Sequence, residues 1–220
     1  ELKRLVSLHN QDLLVLQEME YNGLKYDYDK STVLGDELDE QISKLNIKLK
    51  SFHSYDNFNP NSGEHLSVFL YGGIIKERFQ CPVGHYKTGL RAGEVKLRWE
   101  ERDKEFQRLI NPLPNTELKK EGFFSTNEDT LRKLKPRTND GKEILKIILT
   151  RATMQKRMTT YYHGLVKLID EMKWKTDTIH GQLNQCVAKT GRLSSSKPNL
   201  QNFDGEIKTL FTTRYGESNE

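Results

Sequence analysis

Lys189-Thr190-Gly191-Arg192-Leu193-Ser194-Ser195-Ser196-Lys197-Pro198-Asn199-Leu200-Gln201-Asn202-Phe203 concentrates cations, hydroxyls and side-chain amides in one short run with few large apolar residues. Such a segment enters a dry core only if nearly all of its polar groups find partners. The same groups, with a glycine and an arginine among them, are those that grip phosphate, sugar and base edges. A solvated Ser/Lys/Asn loop is the plainer reading of the same composition.

Two words within this stretch, Thr190-Gly191-Arg192-Leu193-Ser194-Ser195-Ser196 and Pro198-Asn199-Leu200-Gln201-Asn202, occur together and in that order. They closely resemble the segment just before the first catalytic carboxylate motif of family A DNA polymerases. An ordered string of this length is far more specific than a single short motif.

Immediately upstream, Thr176 to Ala188 reads as extended, with Ile179, Leu183 and Val187 among polar neighbours. Downstream, Ile207, Leu210 and Phe211 suggest a short helix or strand. Further upstream lies the longest helical signal, from about Asn139 to Trp174. There Ile144, Ile148, Arg151, Gln155, Met158, Tyr162, Leu165, Ile169 and Met172 keep a four-three spacing. This seam is apolar at both ends but polar in the middle, at Arg151 and Gln155. Arg151, Lys156 and Arg157, with Thr153, Thr159, Thr160, Tyr161 and Tyr162 nearby, form a face that is either simply solvated or holds phosphates in a salt-dependent, sequence-independent way.

Toward the N-terminus, residues 2–21 read as a helix stopped at Asn22-Gly23, with Leu2, Leu5, Leu13 and Leu16 on a broad apolar face. Tyr26-Asp27-Tyr28-Asp29 leads into a second helix, for which Asp29 or Ser31 is the expected cap. Its Leu38, Ile42, Leu45, Leu49 and Phe52 form a heptad-like seam suited to a long helix packed antiparallel to another. Asn61 or Ser62 caps a short helix through Leu66, Phe69 and Leu70, which Gly72-Gly73 stops. From Ile75 to Glu105, glycines and alternating runs such as Val95-Lys96-Leu97-Arg98-Trp99 predict a small β-hairpin or three-stranded meander. Ser125-Thr126-Asn127-Glu128 matches a capping box with Ser125 as N-cap, ahead of a short helix ending at Pro136.

The bulk properties bound the rest. The 220 residues suffice for an ordinary core, and the net charge of +4 is mildly basic. Basic residues outnumber acidic ones from Lys142 to Lys197, whereas residues 10–40 lean acidic. No apolar run approaches the roughly 20 residues that span a bilayer, so no membrane partner is expected. Cys81 and Cys186 are isolated and the histidines scattered, which suits free thiols in a reducing compartment and gives no zinc site. The opening Glu1-Leu2-Lys3-Arg4, without an initiator methionine, suggests a processed product or a piece of something longer.

The resemblance carries further expectations. It is most specific from Ser125 to Tyr215 and looser over residues 12–70, through Glu20-Tyr21-Asn22-Gly23, Asp27 and Phe58-Asn59-Pro60-Asn61-Ser62. The hairpin region looks more like bacteriophage members than bacterial ones. The implied fold is α+β, mostly α, with long antiparallel thumb helices, the small hairpin and the first strands of a palm sheet. Residues 1–174 would be a thumb-like helical region with a β insertion at about 75–105, and residues 175–220 an incomplete start of the palm. Arg151, Lys156 and Arg157 would face duplex phosphates, and Arg192 the minor groove at the primer end. Thr190, Ser194, Ser195, Asn199, Gln201 and Asn202 would be DNA contacts, although the serines and amides could instead stitch the loop to its own backbone.

Family A catalysis uses Mg²⁺ ions held by carboxylates of a DYS-type and a later HDE-type motif. Neither word occurs in this chain, which runs to Gly216-Glu217-Ser218-Asn219-Glu220, and Asp204 and Glu206 do not match them. The chain is therefore expected to bind no metal and to be inactive alone. Its partners would be primer-template DNA and a remaining polymerase half, palm and fingers, on the same or a second polypeptide. The resemblance also implies a cytoplasmic protein, in the host cytoplasm if phage-encoded. The competing readings are a stand-alone non-catalytic nucleic-acid-binding module and a helical interaction protein.

Overall fold

The computed structural model describes residues 2–213, so Arg214, Tyr215 and the terminal Gly216-Glu217-Ser218-Asn219-Glu220 lie outside the described residues. In chain order the elements are α1 (Leu2–Asn22), β1 (Leu24–Tyr26), α2 (Tyr28–Lys50), α3 (Gly63–Tyr71), β2 (Gly73–His85), β3 (Val95–Phe106) and α4 (Glu128–Lys133). Then follow α5 (Asn139–Arg157), a π turn (Met158–Tyr162), α6 (His163–Met172), β4 (Thr178–Ile179), β5 (Gln182–Asn184), β6 (Ser194–Ser196), a 3-10 turn (Leu200–Asn202), α7 (Gly205–Lys208) and β7 (Phe211–Thr212). They fall into two compact units, one of residues up to 42 together with residues from 153 on, the other of residues 43–152.

In the first unit, α1 ends where the Asn-Gly pair predicts. Gly23 takes φ +63° and its N–H donates to the Met19 carbonyl at 2.9 Å. A Cβ there would lie 2.8 Å from the Ile179 carbonyl oxygen, so both the conformation and the space require glycine. The broad apolar face of α1 is largely uncovered: Leu16 is buried, whereas Leu5, Leu13 and Met19 are about half exposed.

β1 is the central strand of a three-stranded antiparallel sheet, ordered β4-β1-β7, in which Leu24 faces Ile179 and Tyr26 faces Phe211. A strand near residue 25 thus hydrogen-bonds on both sides with strands beyond residue 175, which groups the two ends of the chain in one compact unit. Asp27, not Asp29 or Ser31, caps α2: its Oδ1 accepts the Lys30 N–H at 3.0 Å. Ser31 lies inside the helix, fully buried, where it accepts from the Tyr26 hydroxyl and donates to the Tyr162 carbonyl at 3.3 Å. Burial pushes the Tyr26 phenol up to about 12.

The first half of α2 runs antiparallel to α6. Tyr28 donates to Asp170 at 3.4 Å and His163 Nε2 lies 3.2 Å from Asp36. The predicted continuous helix from Asn139 to Trp174 is interrupted by the π turn, which widens the backbone while leaving Met158, Tyr162 and Leu165 buried. Gly164 makes the turn possible, since a Cβ there would stand 2.4 Å from the Thr159 carbonyl oxygen. Around this helical face close Tyr26, Ile169, Ile179, Phe203, Ile207 and Leu210.

The second unit has its own core of Leu49, Phe69, Leu70, Leu131, Ile144 and Ile148. Ser62 caps α3, accepting the His65 N–H at 3.4 Å, and Gly72 closes it. β2 and β3 form a two-stranded antiparallel hairpin rather than a three-stranded meander, with a bulge between Pro82 and Gly84. The cap of α4 is Asn127, which accepts the Thr130 N–H at 2.9 Å, rather than Ser125. Asn127 has the extended backbone a cap needs (φ −67°, ψ 158°), and Ser125 lies two residues too early to reach the first free helical N–H groups.

Candidate nucleic-acid interface

Within the first unit, the polar stretch of residues 189–203 completes a short hairpin and continues into a turn. β5 pairs with β6 antiparallel, Gln182 opposite Ser196, Leu183 opposite Ser195 and Asn184 opposite Ser194. A cis Lys197–Pro198 bond then leads into the 3-10 turn, whose cap Asn199 accepts the Gln201 N–H at 3.2 Å.

Many of the expected DNA contacts are spent on this architecture. Ser195 is buried; its hydroxyl accepts the Leu200 N–H at 3.0 Å and donates to Asn199 Oδ1 at 3.4 Å. Ser194 donates to the Asn184 carbonyl at 3.4 Å, and the Gln201 amide donates to the Leu193 carbonyl. Apart from the Ser195–Asn199 side-chain pair, these are side-chain-to-backbone stitches within the hairpin and turn, the alternative that the residue types already left open. Thr190, Arg192 and Asn202 are exposed, and no hydrogen bond or ion pair among the described residues holds the Arg192 guanidinium.

Tertiary contacts join the end of this stretch to the cationic helix. The Tyr161 hydroxyl donates to the Asn202 carbonyl at 3.2 Å, and Phe203 packs between Tyr161 and Phe211 with ring centroids 5.8 and 5.3 Å away. Arg157 forks to two carboxylates, Nη2 to Asp204 at 2.8 Å and Nη1 to Glu206. Glu206 also accepts from Tyr162 at 3.2 Å, and Asp204 caps α7 by accepting the Ile207 N–H at 3.0 Å. Neighbouring Lys156 is exposed and has no ion-pair partner among the described residues. This network went unread in the sequence, although an Asp-Gly-Glu ahead of Ile207 is a readable cap signal.

The Ile207 N–H, and then Arg157, hold the Asp204 carboxyl below the usual carboxylate range. A folded-state value below the unfolded one contributes stability that is present above about pH 4 and lost as the pH falls through the folded value. We expect Asp204→Asn, which still caps but cannot ionise, to flatten the loss of stability on acidification. Urea midpoints at pH 7 and pH 3 check this: wild type and variant differ at the upper pH, and the difference narrows at the lower.

Arg151 does not belong to the interface. It sits in the second unit at 5% exposure, with Nε bound to Asn46, Nη1 to the Pro60 carbonyl at 3.3 Å and Nη2 to Asn61 at 2.8 Å. Its expected contact with phosphate is corrected accordingly, because the guanidinium is buried and its Nε and both Nη atoms already donate to Asn46, Pro60 and Asn61. Asp204 and Glu206 do not fit Mg²⁺ either, since Arg157 occupies both carboxylates; among the described residues no group of three or more His, Cys, Asp or Glu side chains could hold a metal ion.

Residues 103–217, just over half of the chain, match the family model described as DNA polymerase family A. The chain belongs to that family. DNA polymerase I of Bacillus caldotenax is 30% identical over 201 residues, which cover 90% of this chain and 18% of that protein. DNA polymerase I of Geobacillus stearothermophilus is 29% identical over 190 residues, 86% of this chain and 16% of that one. This family A chain thus spans under a fifth of the length of these curated relatives. In fold it is similar to the POL domain of Pol1 from M. smegmatis, solved in complex with DNA primer-template and dNTP. The TM-score is 0.56 at 20% identity, over 89% of this chain and 27% of that one. The expected leaning of the hairpin region toward bacteriophage members gains no support from these relatives, which are bacterial. No helix of the described residues is long and apolar enough to cross a membrane.

Proposed function

We propose that this chain supplies the thumb and first palm strands of a DNA-directed DNA polymerase and grips primer-template duplex there. In this reading the metal-holding carboxylates come from a remaining polymerase half, on the same or a second polypeptide. The observation that carries it is the fastening of the polar stretch to the cationic helix through Arg157, Tyr161 and Phe203, which leaves Thr190, Arg192, Asn202 and Lys156 exposed in one unit. Arg192 presents a planar fork to the minor groove at the primer end. Purine N3 and pyrimidine O2 accept there in similar places for every correct pair, so pair shape is sensed without reading sequence. Lys156 meets phosphate. Ser194, Ser195, Asn199 and Gln201 act by holding the shape of the loop, and Arg157 by tying it to the helix.

The test is primer extension. With primer-template, Mg²⁺ and dNTPs, the pure chain is expected to incorporate no nucleotide, and adding a polypeptide with the missing palm and fingers is expected to restore incorporation. Extension by the pure chain would overturn the division of labour. Tight binding by the isolated chain, with no preference for a primer-template junction in the completed assembly, would favour the stand-alone binding module.

A further inference from the structure

In the first unit, α1 carries more bare apolar surface than any other described element. Leu2 is 77% exposed, and Leu5, Val6, Leu8, Leu13 and Val15 each keep about half of their surface in water. At 3.6 residues per turn these positions sweep about half of the helix circumference, and Leu16, the buried residue of α1, lies inside the same arc. The helix is fastened to its unit near its C-terminal end, where His180 Nδ1 donates to the Glu20 carbonyl at 2.9 Å and the Glu20 carboxylate accepts the Leu183 N–H. A helix in a protein draws most of its stability from packing its apolar face, so a face this broad left in water marks an interaction surface. The charges point the same way. Lys3 and Arg4 stand in the first turn and Glu18 near the last, against the preference of the helix's own dipole. Arg4 and Glu18 are two heptads apart, on one edge of the apolar face, and neither has a hydrogen bond or ion pair among the described residues.

We propose that this face of α1 is the docking surface for the remaining polymerase half. The partner's chemistry is an apolar patch with a carboxylate opposite Arg4 and a cation opposite Glu18. The proposal rests on the polymerase reading of the chain, and position selects the partner. Asp12, Val15 and Leu16 of α1 line one cavity with Cys186, Arg192 and Leu193, so the bare face borders the arginine assigned to the primer end. Carboxylates supplied by the other half have to reach the primer end at that place. The half that brings them lies against the surface beside Arg192, and α1 is the apolar surface there. A second copy of this chain seated on α1 would compete for the same ground. Nucleic acid does not suit the face, which offers leucines and valines with Asp12 among them rather than cations.

The experiment mixes the full chain with a polypeptide carrying the missing palm and fingers, without DNA, and measures their association by sedimentation. Leu5→Glu with Leu8→Glu is expected to weaken association by at least about a hundredfold, the scale of two leucines kept out of an apolar interface. Both side chains are half exposed in the chain alone, and circular dichroism checks that the variant folds. Arg4→Glu is expected to weaken association roughly threefold to tenfold, a loss that shrinks with added salt. Hydrogen exchange gives a readout without substitution: the α1 amides are expected to slow when the two polypeptides join. No association of the wild-type pair, wild-type association in the leucine variant, or α1 exchange unchanged on joining overturns the proposal. So does a dimer of this chain that the leucine variant breaks and that persists when the other polypeptide is added. Primer extension by the wild-type pair tests the polymerase reading separately. A pair that joins through α1 yet extends no primer sinks that reading and leaves the docking surface in place, whereas extension with α1 uncovered does the reverse.

Discussion

Arg192→Ala, made in a polymerase that completes this chain with palm and fingers, is expected to lower turnover roughly tenfold to a hundredfold. That is the scale of one lost charge-assisted hydrogen bond. Primer-template affinity should change only about two- to threefold, because exposed cations such as Lys156 supply the salt-dependent part of binding independently. Under the proposed function the asymmetry follows from position: a fork that reaches its acceptors only when the primer end is aligned would stabilise the transition state more than the ground state. Arg192→Lys should recover part of the affinity and little of the turnover, since a point charge cannot span two acceptors. Single-turnover incorporation rates and anisotropy dissociation constants, measured on the same preparations, separate the two effects. Equal proportional losses in both would show a plain binding contact instead.

The second large effect concerns stability. Arg151→Met is expected to destabilise the unit of residues 43–152 by about 2–4 kcal/mol, because it removes the three charge-assisted hydrogen bonds that the buried guanidinium makes to Asn46, Pro60 and Asn61. For a chain of this size that is a fall in Tm of roughly 5–15 °C. Burial lowers the guanidinium pKa from its usual value, yet an arginine remains charged throughout the accessible pH range. Arg151→Lys should also destabilise, since one ammonium cannot reach three dispersed oxygens. A phosphate contact predicts something different: the slope of log affinity against log salt would fall by about one, with little change in Tm. Calorimetry together with a salt titration of DNA binding decides, and an unchanged Tm with a reduced slope would return Arg151 to the interface.

Much of the fold was legible because it is written locally. The Asn22-Gly23 stop, the Ser62 cap, the hairpin strands and the seams of α2 and α5 each depend on residues a few positions apart. Where two caps competed within four residues, as at Asp27 against Asp29 or Asn127 against Ser125, backbone conformation chose between them, and a residue string does not contain that. The π turn escaped for a related reason. Its seam residues keep a spacing a straight helix also satisfies, and the difference lies in how Gly164 meets the Thr159 carbonyl.

The roles of the arginines show the division most clearly. By itself the sequence determined that a polar Thr190–Phe203 stretch and a cationic helix belong to one chain, and its words carried the polymerase resemblance that the family match upholds. Only the tertiary structure decided that Arg151 is a core strut, that Arg157 is a tie between helix and loop, and that Arg192 remains exposed. The side chain is the same in all three, but the carboxylates and amides that claim the first two lie between 47 and 105 residues away in the chain. Which cation meets a partner and which meets water is therefore a property of packing, because an arginine's availability is set by the acceptors the fold brings to it.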